Sequence, residues 1–310
     1  MKIGLIDLIQ PDLHPAPIDH PETPERIQSA LDYVQKSDIA GDLELIMPTP
    51  VGSEILKQVH SPGYIDFIEQ AADEGTTGID EDTYLSRGSF KAAKTTALTV
   101  AGAVDLIMHD KYKYIFMAGR PPGHHAEYDR AMGFCLINNA AVAAEYLSQK
   151  YNRKRIAIID WDVHHGNGTQ NIFYNRSDIF YISMHQYPFY PGTGRSDEIG
   201  RGEGEGYNLN LPLSAGSNNE IYLKNFEEKI IPGLEKYCPE FIIISCGFDA
   251  HRDDPLGEMN MTERGFGDMT KLTKEIADKY AEGRILSLFE GGYNPISNGL
   301  SLFEHLMELI

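Results

Sequence analysis

The sequence predicts an α/β fold, a mostly parallel sheet with helices on both faces. Two observations carry this reading. From Tyr114 onwards, short apolar runs at about 114–118, 155–159, 179–184, 241–246 and 284–289 alternate with helical patterns at about 136–150, 218–237, 262–281 and 296–309. Polar clusters then follow these runs: Gly119-Arg-Pro-Pro-Gly-His124-His125, Asp160 to Asn167, Ser183-Met184-His185, Gly247-Phe-Asp249-Ala-His251 and Glu290-Gly-Gly-Tyr293. Open α/β sheets build their sites along the carboxyl edge of the strands, so residues far apart in the chain become candidates for one pocket.

The elements follow in order. Residues 2 to 8 read as a first strand. Thr23-Pro24-Glu25-Arg26 starts a helix, with Thr as N-cap and Pro in the first turn, and Ile27, Ala30, Leu31 and Val34 form its apolar face. Before it, His14 and His20 sit in a stiff proline-rich loop and read as structural. Residues 53 to 59 and 62 to 73 look helical, and Gly75 to Asp82 is a polar loop. Ser89 opens an alanine-rich helix to about His109, apolar enough to be buried on most sides.

At 310 residues and with no break in composition, one domain spanning 1–310 is expected. Forty-six acidic against 27 basic residues give a net charge of −19, which disfavours nucleic-acid backbones and anionic membranes and suits cationic partners. Cys135, Cys238 and Cys246 show no metal-type spacing and read as buried, inert thiols of a reducing compartment. The start of the chain lacks a secretory pattern, and no apolar run approaches the roughly 18 residues needed to span a bilayer, so a cytoplasmic location is expected.

The densest cluster follows Ile156-Ala-Ile-Ile. In extended backbone Asp160, Asp162 and His164 project to one side, and carboxylate plus imidazole without thiolate suits catalytic zinc. Asp249 would supply a third ligand, although alone it also reads as a turn residue before Pro255. His124 and His125 are candidates for general base and acid, with Asp160 and Asn167 to orient them. Tyr293, on a Gly-Gly turn, is placed to donate its hydroxyl to an oxyanion. Gly200 to Gly206 superficially suggests a nucleotide loop, but it carries two glutamates and precedes a strand, so a flexible connection is expected. Cys135 as a nucleophile fits less well than the metal reading, and there is no Gly-x-Ser-x-Gly elbow.

Arg120-Pro-Pro-Gly-His124-His125, Asp160-x-Asp162-x-His164-His165-Gly-Asn167-Gly168, Tyr190-Pro-Gly-Thr-Gly194, Gly247-Phe-Asp249 and Glu290-Gly-Gly-Tyr293-Asn294 resemble the zinc-dependent histone deacetylase family, which includes acetylpolyamine amidohydrolases. The similarity runs from about His20 to the C-terminus. It implies a three-layer α/β/α sandwich of the arginase/deacetylase type and hydrolysis of an N-acetyl amide to acetate and amine.

The resemblance also implies site roles: zinc on Asp162, His164 and Asp249, proton transfer by His125 with His124 beside it, and oxyanion donation by Tyr293. Structural potassium would involve Asp160, Ser183 and the backbone of Asp162, His164 and Met184. A second potassium would sit at Phe173, Arg176, Ile179 and Tyr207. Phe134 and Tyr190 match the walls of the acyl-lysine tunnel, Gly133 its narrow point, Arg26 the acetate exit, and Asp80 or Asp82 the rim acid that holds substrate backbone. Asn167 stands where the nuclear class I branch has aspartate, as in the class II and bacterial pattern.

Leu256 occupies a mouth position where a polyamine-specific member would carry an acid. This favours acetyl-lysine over acetylpolyamine, with Glu258, Glu127 or Asp80 as alternative acidic gates. Asp249-Ala-His251-Arg-Asp253 also resembles a motif of binuclear manganese ureohydrolases, but His124, His125 and Tyr293 fit the deacetylase better. An acyl-binding module without turnover would need a broken ligand set, and every motif is intact.

Overall fold

The computed structural model describes residues 2–310. Eight strands form one all-parallel sheet: β1 (Ile3–Leu8), β2 (Leu43–Leu45), β3 (Tyr114–Gly119), β4 (Ile156–Asp160), β5 (Ile179–Gln186), β6 (Asn208–Leu213), β7 (Phe241–Cys246) and β8 (Ile285–Phe289). Their spatial order is β2-β1-β3-β8-β7-β4-β5-β6. The strands that lead into the predicted clusters are therefore contiguous in the middle of the sheet: β3, β8, β7, β4 and β5. Sheet order sets the loop that carries His125 beside the loop that carries Tyr293, which the sequence places far apart.

Alternate residues of each strand feed two separate cores. Ala157 and Ile159 of β4 pack with the helices α1 (Pro24–Gln35), α9 (Glu263–Tyr280) and α10 (Pro295–Leu309). Ile156 and Ile158 pack on the other face with α3 (Pro62–Glu74), α4 (Ser89–Met108) and α5 (Asn139–Tyr151). A strand covered on both sides is apolar at most positions, which is why β4, β7 and β8 read as short apolar runs; a buried polar residue needs a partner, as Ser287 of β8 has in His305 Nε2 at 2.9 Å. The result is the α/β/α sandwich.

The structure departs from the sequence reading in several places. β2 was not expected; it is a three-residue edge strand, Leu43-Glu-Leu45, too short to show a period. Residues 53–59 form a 3₁₀ turn and a single helical turn, and α5 starts at Asn139, where Asn138 caps it by accepting from the Ala141 amide. The helix expected over 218–237 is α7 (Asn219–Asn225), a π turn (Phe226–Ile230) and α8 (Ile231–Tyr237). Pro232 has no N–H to donate, so the ladder is rearranged in the turn before it. The glycine-rich 200–206 segment is a hydrogen-bonded turn, with Arg201 N–H to Tyr174 O at 2.8 Å and Gly206 N–H to Ile199 O at 2.7 Å, rather than a loose connection. Cys238 is half-buried at the end of α8, not enclosed like Cys135 and Cys246. Among the described residues no helix is long and apolar enough to cross a membrane.

Candidate active site

The site is assembled from the loops that leave β3, β4, β7 and β8. Asp162, His164 and Asp249 offer ligand atoms that all lie within 4.8 Å of one another. His164 Nδ1 stands 3.1 Å from Asp162 Oδ1 and 3.2 Å from Asp249 Oδ2. The remaining carboxylate oxygens are anchored by backbone: Val163 N–H donates to Asp249 Oδ1 at 2.7 Å and Gly291 N–H to Asp162 Oδ2 at 2.7 Å. Gly291 is required by that approach, since a Cβ there would come within 2.0 Å of Asp249 Oδ2.

This cluster fits a divalent cation. Asp249 Oδ2 is buried and has no hydrogen-bond partner despite its nearness to His164, the state of a group whose partner is an ion. Burial and the neighbouring Asp162 charge push the Asp249 carboxyl up to about 7. Two adjacent buried carboxylates cannot both ionise cheaply without positive charge between them.

Beside the cluster the two histidines are separated electrostatically. His124 Nδ1 lies 3.2 Å from Asp160 Oδ2, which also accepts from the Tyr181 hydroxyl at 3.0 Å. Burial opposes a charge on His124, but Asp162 and Asp160 outweigh it and hold the imidazole up at about 10. A dication on Asp162 would cancel that share and leave Asp160. His125 goes the other way: burial, then the His124 and His164 charges, push it well below 6.5. Its Nδ1 faces Asn167 Oδ1 at 2.7 Å, so Nδ1 carries the proton and Nε2 keeps its lone pair. Two titratable neighbours driven apart in this way divide the tasks of proton acceptor and fixed positive charge.

The residues expected to line a channel lie around this centre. Gly133 and Phe134 both have left-handed backbone, φ 55° and 67°. A Cβ at Gly133 would come within 2.3 Å of His125 Cδ2. For Phe134 that conformation costs about 1–2 kcal/mol and aims the ring at Tyr293, centroids 6.0 Å apart. Tyr190 meets the His125 ring edge-to-face, centroids 5.2 Å apart. Tyr293 is half-buried, its pKa raised well above 10 by burial, and its amide donates to Asp254 Oδ2 at 2.6 Å. Leu256 is half-buried, and its amide donates to the other oxygen of Asp254 at 2.9 Å.

Asp80 and Asp82 differ in burial. Asp80 is exposed and accepts from the Asp82 and Thr83 amides of its own turn. Asp82 is half-buried, its pKa raised by burial and by Asp80, and its carbonyl meets His20 Nε2 at 3.2 Å. Arg26 is buried, donates to the carbonyl of Glu290 at 2.8 Å, and lies 5.4 Å from the Tyr293 ring centroid. Asp160 pairs in register with Ser183, and Ser183 Oγ meets His185 Nδ1 at 2.8 Å. Phe173 ends the helix α6 (Asn167–Phe173) and Ile179 starts β5, but the Phe173 carbonyl already accepts from the Arg176 amide at 2.9 Å.

Several participants were not visible in the sequence. Glu22 is fully buried and accepts from Arg120 Nε and Nη2, both at 2.7 Å, from Arg26 Nη2 at 2.9 Å and from the Tyr84 hydroxyl at 3.0 Å. Burial works against its charge, but the two guanidinium groups hold its carboxyl well below the usual range. Glu290 is buried and receives the Gly123 and His124 amides at 2.7 and 3.2 Å, which fixes the histidine loop on β8. Phe189 stacks on the His164 ring at 5.4 Å. Glu290 opens the Glu290-Gly-Gly-Tyr293 motif but carried no role from sequence, and the only signal for Glu22 was its nearness to His20 and Arg26.

A buried Asp–His–Asp cluster at the carboxyl edge of a parallel sheet, with a neutral histidine alongside, is the arrangement of a metal-dependent hydrolase. The histone deacetylase domain model matches residues 20–309. The chain is 36% identical over 287 residues to the histone deacetylase-like amidohydrolase of Pseudomonas aeruginosa, covering 92% of this chain and 75% of that protein. It is 38% identical over 277 residues to a probable deacetylase of Archaeoglobus fulgidus, covering 89% and 77%. The crystal structure of the HDA15 HD domain matches with a TM-score of 0.92 at 35% identity, covering 99% of this chain and 88% of that one. The chain belongs to the histone deacetylase family. It is a hydrolase acting on amide bonds with the arginase/deacetylase fold, and zinc dependence is the norm of the family.

Proposed function

We propose that residues 1–310 act as one catalytic domain that removes acetyl groups from N-acetyl-lysine side chains, releasing acetate and the free amine. One observation carries this reading above the others: the convergent Asp162, His164 and Asp249 ligand atoms with the unpartnered Asp249 Oδ2 among them. Zinc on these three residues would polarise the amide carbonyl and acidify a water molecule. His125 Nε2, with its lone pair free, is placed to take the proton of an attacking water and to return it to the leaving nitrogen. His124, held by Asp160, keeps a positive charge beside it. The Tyr293 hydroxyl donates to the oxygen that becomes negative as the carbonyl is attacked. Phe134 and Tyr190 flank the entering methylenes, and Asp82, half-buried where Asp80 is exposed, is the rim acid that receives substrate backbone.

The choice of lysine over a polyamine rests on the mouth. Leu256 is apolar, and each acid that might replace it is already engaged. Glu258 accepts from Gln186 Nε2 at 2.9 Å, Glu127 from Asn167 Nδ2 at 2.6 Å, and Asp80 from its own turn. We further assign structural potassium to Asp160 and Ser183 with the nearby backbone, and a second to the backbone around Phe173, Arg176, Ile179 and Tyr207.

Metal titration of the stripped protein tests this reading. Activity on an acetyl-lysine peptide should return at one zinc per chain, and Asp249→Ala should lose metal and activity together. Activity that requires two manganese ions would point to the ureohydrolase-type alternative.

A further inference from the structure

At the amino edge of the sheet, the end opposite the catalytic loops, lies a second cavity of about 710 Å³ between the starts of β4, β5 and β6 and the helix α8. Its rim carries Lys154, Arg155, Lys229 and Lys236 against one acid, Glu205. In a chain of net charge −19, four cations gathered on one rim repel each other and attract anions. Their charges are only partly neutralised: Lys229 meets the Asn225 amide oxygen at 2.9 Å, and Arg155 stands 3.9 Å from Glu240 while its Nε donates to the Cys238 carbonyl at 2.8 Å.

The floor is aromatic. Phe180, Tyr207 and Tyr237 line the cavity, with Phe180–Tyr237 centroids at 5.3 Å and Tyr207–Tyr237 at 5.8 Å. Ile199, 44% exposed, forms an apolar wall. Lys229 and Lys236 stand on the rim on either side of Gly233, whose missing side chain lets the helix close on the Phe180 ring, where a Cβ would come within 3.2 Å. Lys229 belongs to the π turn at Phe226–Ile230, an irregularity that recurs at functional sites.

We propose that this pocket binds a nucleotide-type anion, with a phosphate chain on the Lys154, Arg155, Lys229 and Lys236 rim and a flat ring laid on the Phe180, Tyr207 and Tyr237 floor. Cationic rim and aromatic floor together match a charged group joined to a planar apolar body. The site shares no residue with the catalytic cluster, so it stands independently of the deacetylase reading.

Calorimetric titration of the zinc-loaded, full-length protein with ATP, coenzyme A and inorganic pyrophosphate tests it. Saturable binding of ATP or coenzyme A is expected, at least about tenfold tighter than pyrophosphate. The tighter of the two identifies the source, a simple nucleoside polyphosphate or a pantetheine-bearing one. The double variant Lys229→Glu/Lys236→Glu, with both changes on exposed positions, should weaken that binding about tenfold or more and leave kcat/KM on the acetyl-lysine peptide unchanged. No saturable binding of either nucleotide at millimolar concentration, equal binding by wild type and the charge-reversed variant, or pyrophosphate binding as tightly as ATP and coenzyme A would each overturn the proposal.

Discussion

Glu127 Oε1 accepts from Asn167 Nδ2 at 2.6 Å, and this contact decides which end of the Asn167 amide faces His125. With the NH₂ group turned to Glu127, the oxygen is left for His125 Nδ1, and the histidine is held with its Nε2 lone pair towards the site. A carboxylate outside the metal cluster thereby sets the tautomer of the proposed base.

Removing that carboxylate takes negative charge away from His125, so its imidazolium becomes less favourable. Glu127→Gln should move the acid limb of the kcat/KM profile to lower pH by ~0.5 unit. Asn167→Asp supplies a charge in direct contact and should move the same limb upward, by about 1–3 units. A pH–rate series on the two variants checks both signs; a shift in the same direction for both would refute the arrangement.

Tyr293 and Leu256 are tied together by Asp254, which accepts one backbone N–H from each. Tyr293→Phe should reduce kcat by about 10²–10³ while zinc stays bound. Asp254→Ala leaves the hydroxyl but frees its loop, and should cost about tenfold in kcat with zinc content unchanged. Activity assays paired with metal analysis separate the two losses. Near-full activity of Tyr293→Phe would remove the oxyanion assignment.

Glu22 neutralises two buried guanidinium groups at once. Replacing it by glutamine leaves Arg26 and Arg120 without their countercharge in a place water does not reach. Glu22→Gln should destabilise the fold by about 3–5 kcal/mol in urea unfolding. A loss below about 1 kcal/mol would mean that the two arginines find other partners.

His60 is buried, with Nδ1 donating to the Glu127 carbonyl at 2.8 Å and Nε2 accepting from the Asn138 amide at 3.0 Å. A second ring proton would break the Asn138 bond, and burial lowers the pKa from 6.5 to about 4. Above pH 6.5 the ring is neutral in both folded and unfolded chains, and this contribution is fully present. As pH falls below that value the unfolded chain takes up a proton that the folded chain refuses, so stability declines towards pH 4 by about 3 kcal/mol. His60→Asn should flatten the stability curve across this window. Parallel curves for wild type and variant would show that other groups carry the acid loss.

Strands whose neighbours cover both faces announced themselves as apolar runs, and β7 matches the expected 241–246 residue for residue. The carboxyl-edge clusters were legible because β3, β4, β7 and β8 are each followed by polar residues that a turn does not need in such number. Sheet order was not legible, since nothing local says that β8 and β7 lie between β3 and β4. Glu22, Asp254 and Glu127 stayed hidden for a related reason: each acts on groups brought to it by the fold, and a single acid in a loop carries no period or spacing. The difference in burial between Asp80 and Asp82 is likewise a product of the fold.

The most direct measurement is kcat/KM of the zinc-loaded enzyme on an acetyl-lysine peptide and, side by side, on acetylputrescine and acetylspermidine. A clear preference for the peptide is expected, because Leu256 leaves the mouth apolar and Glu258, Glu127 and Asp80 are occupied elsewhere. A preference for either acetylpolyamine would contradict the account and mean that one of these acids turns to the channel as a gate.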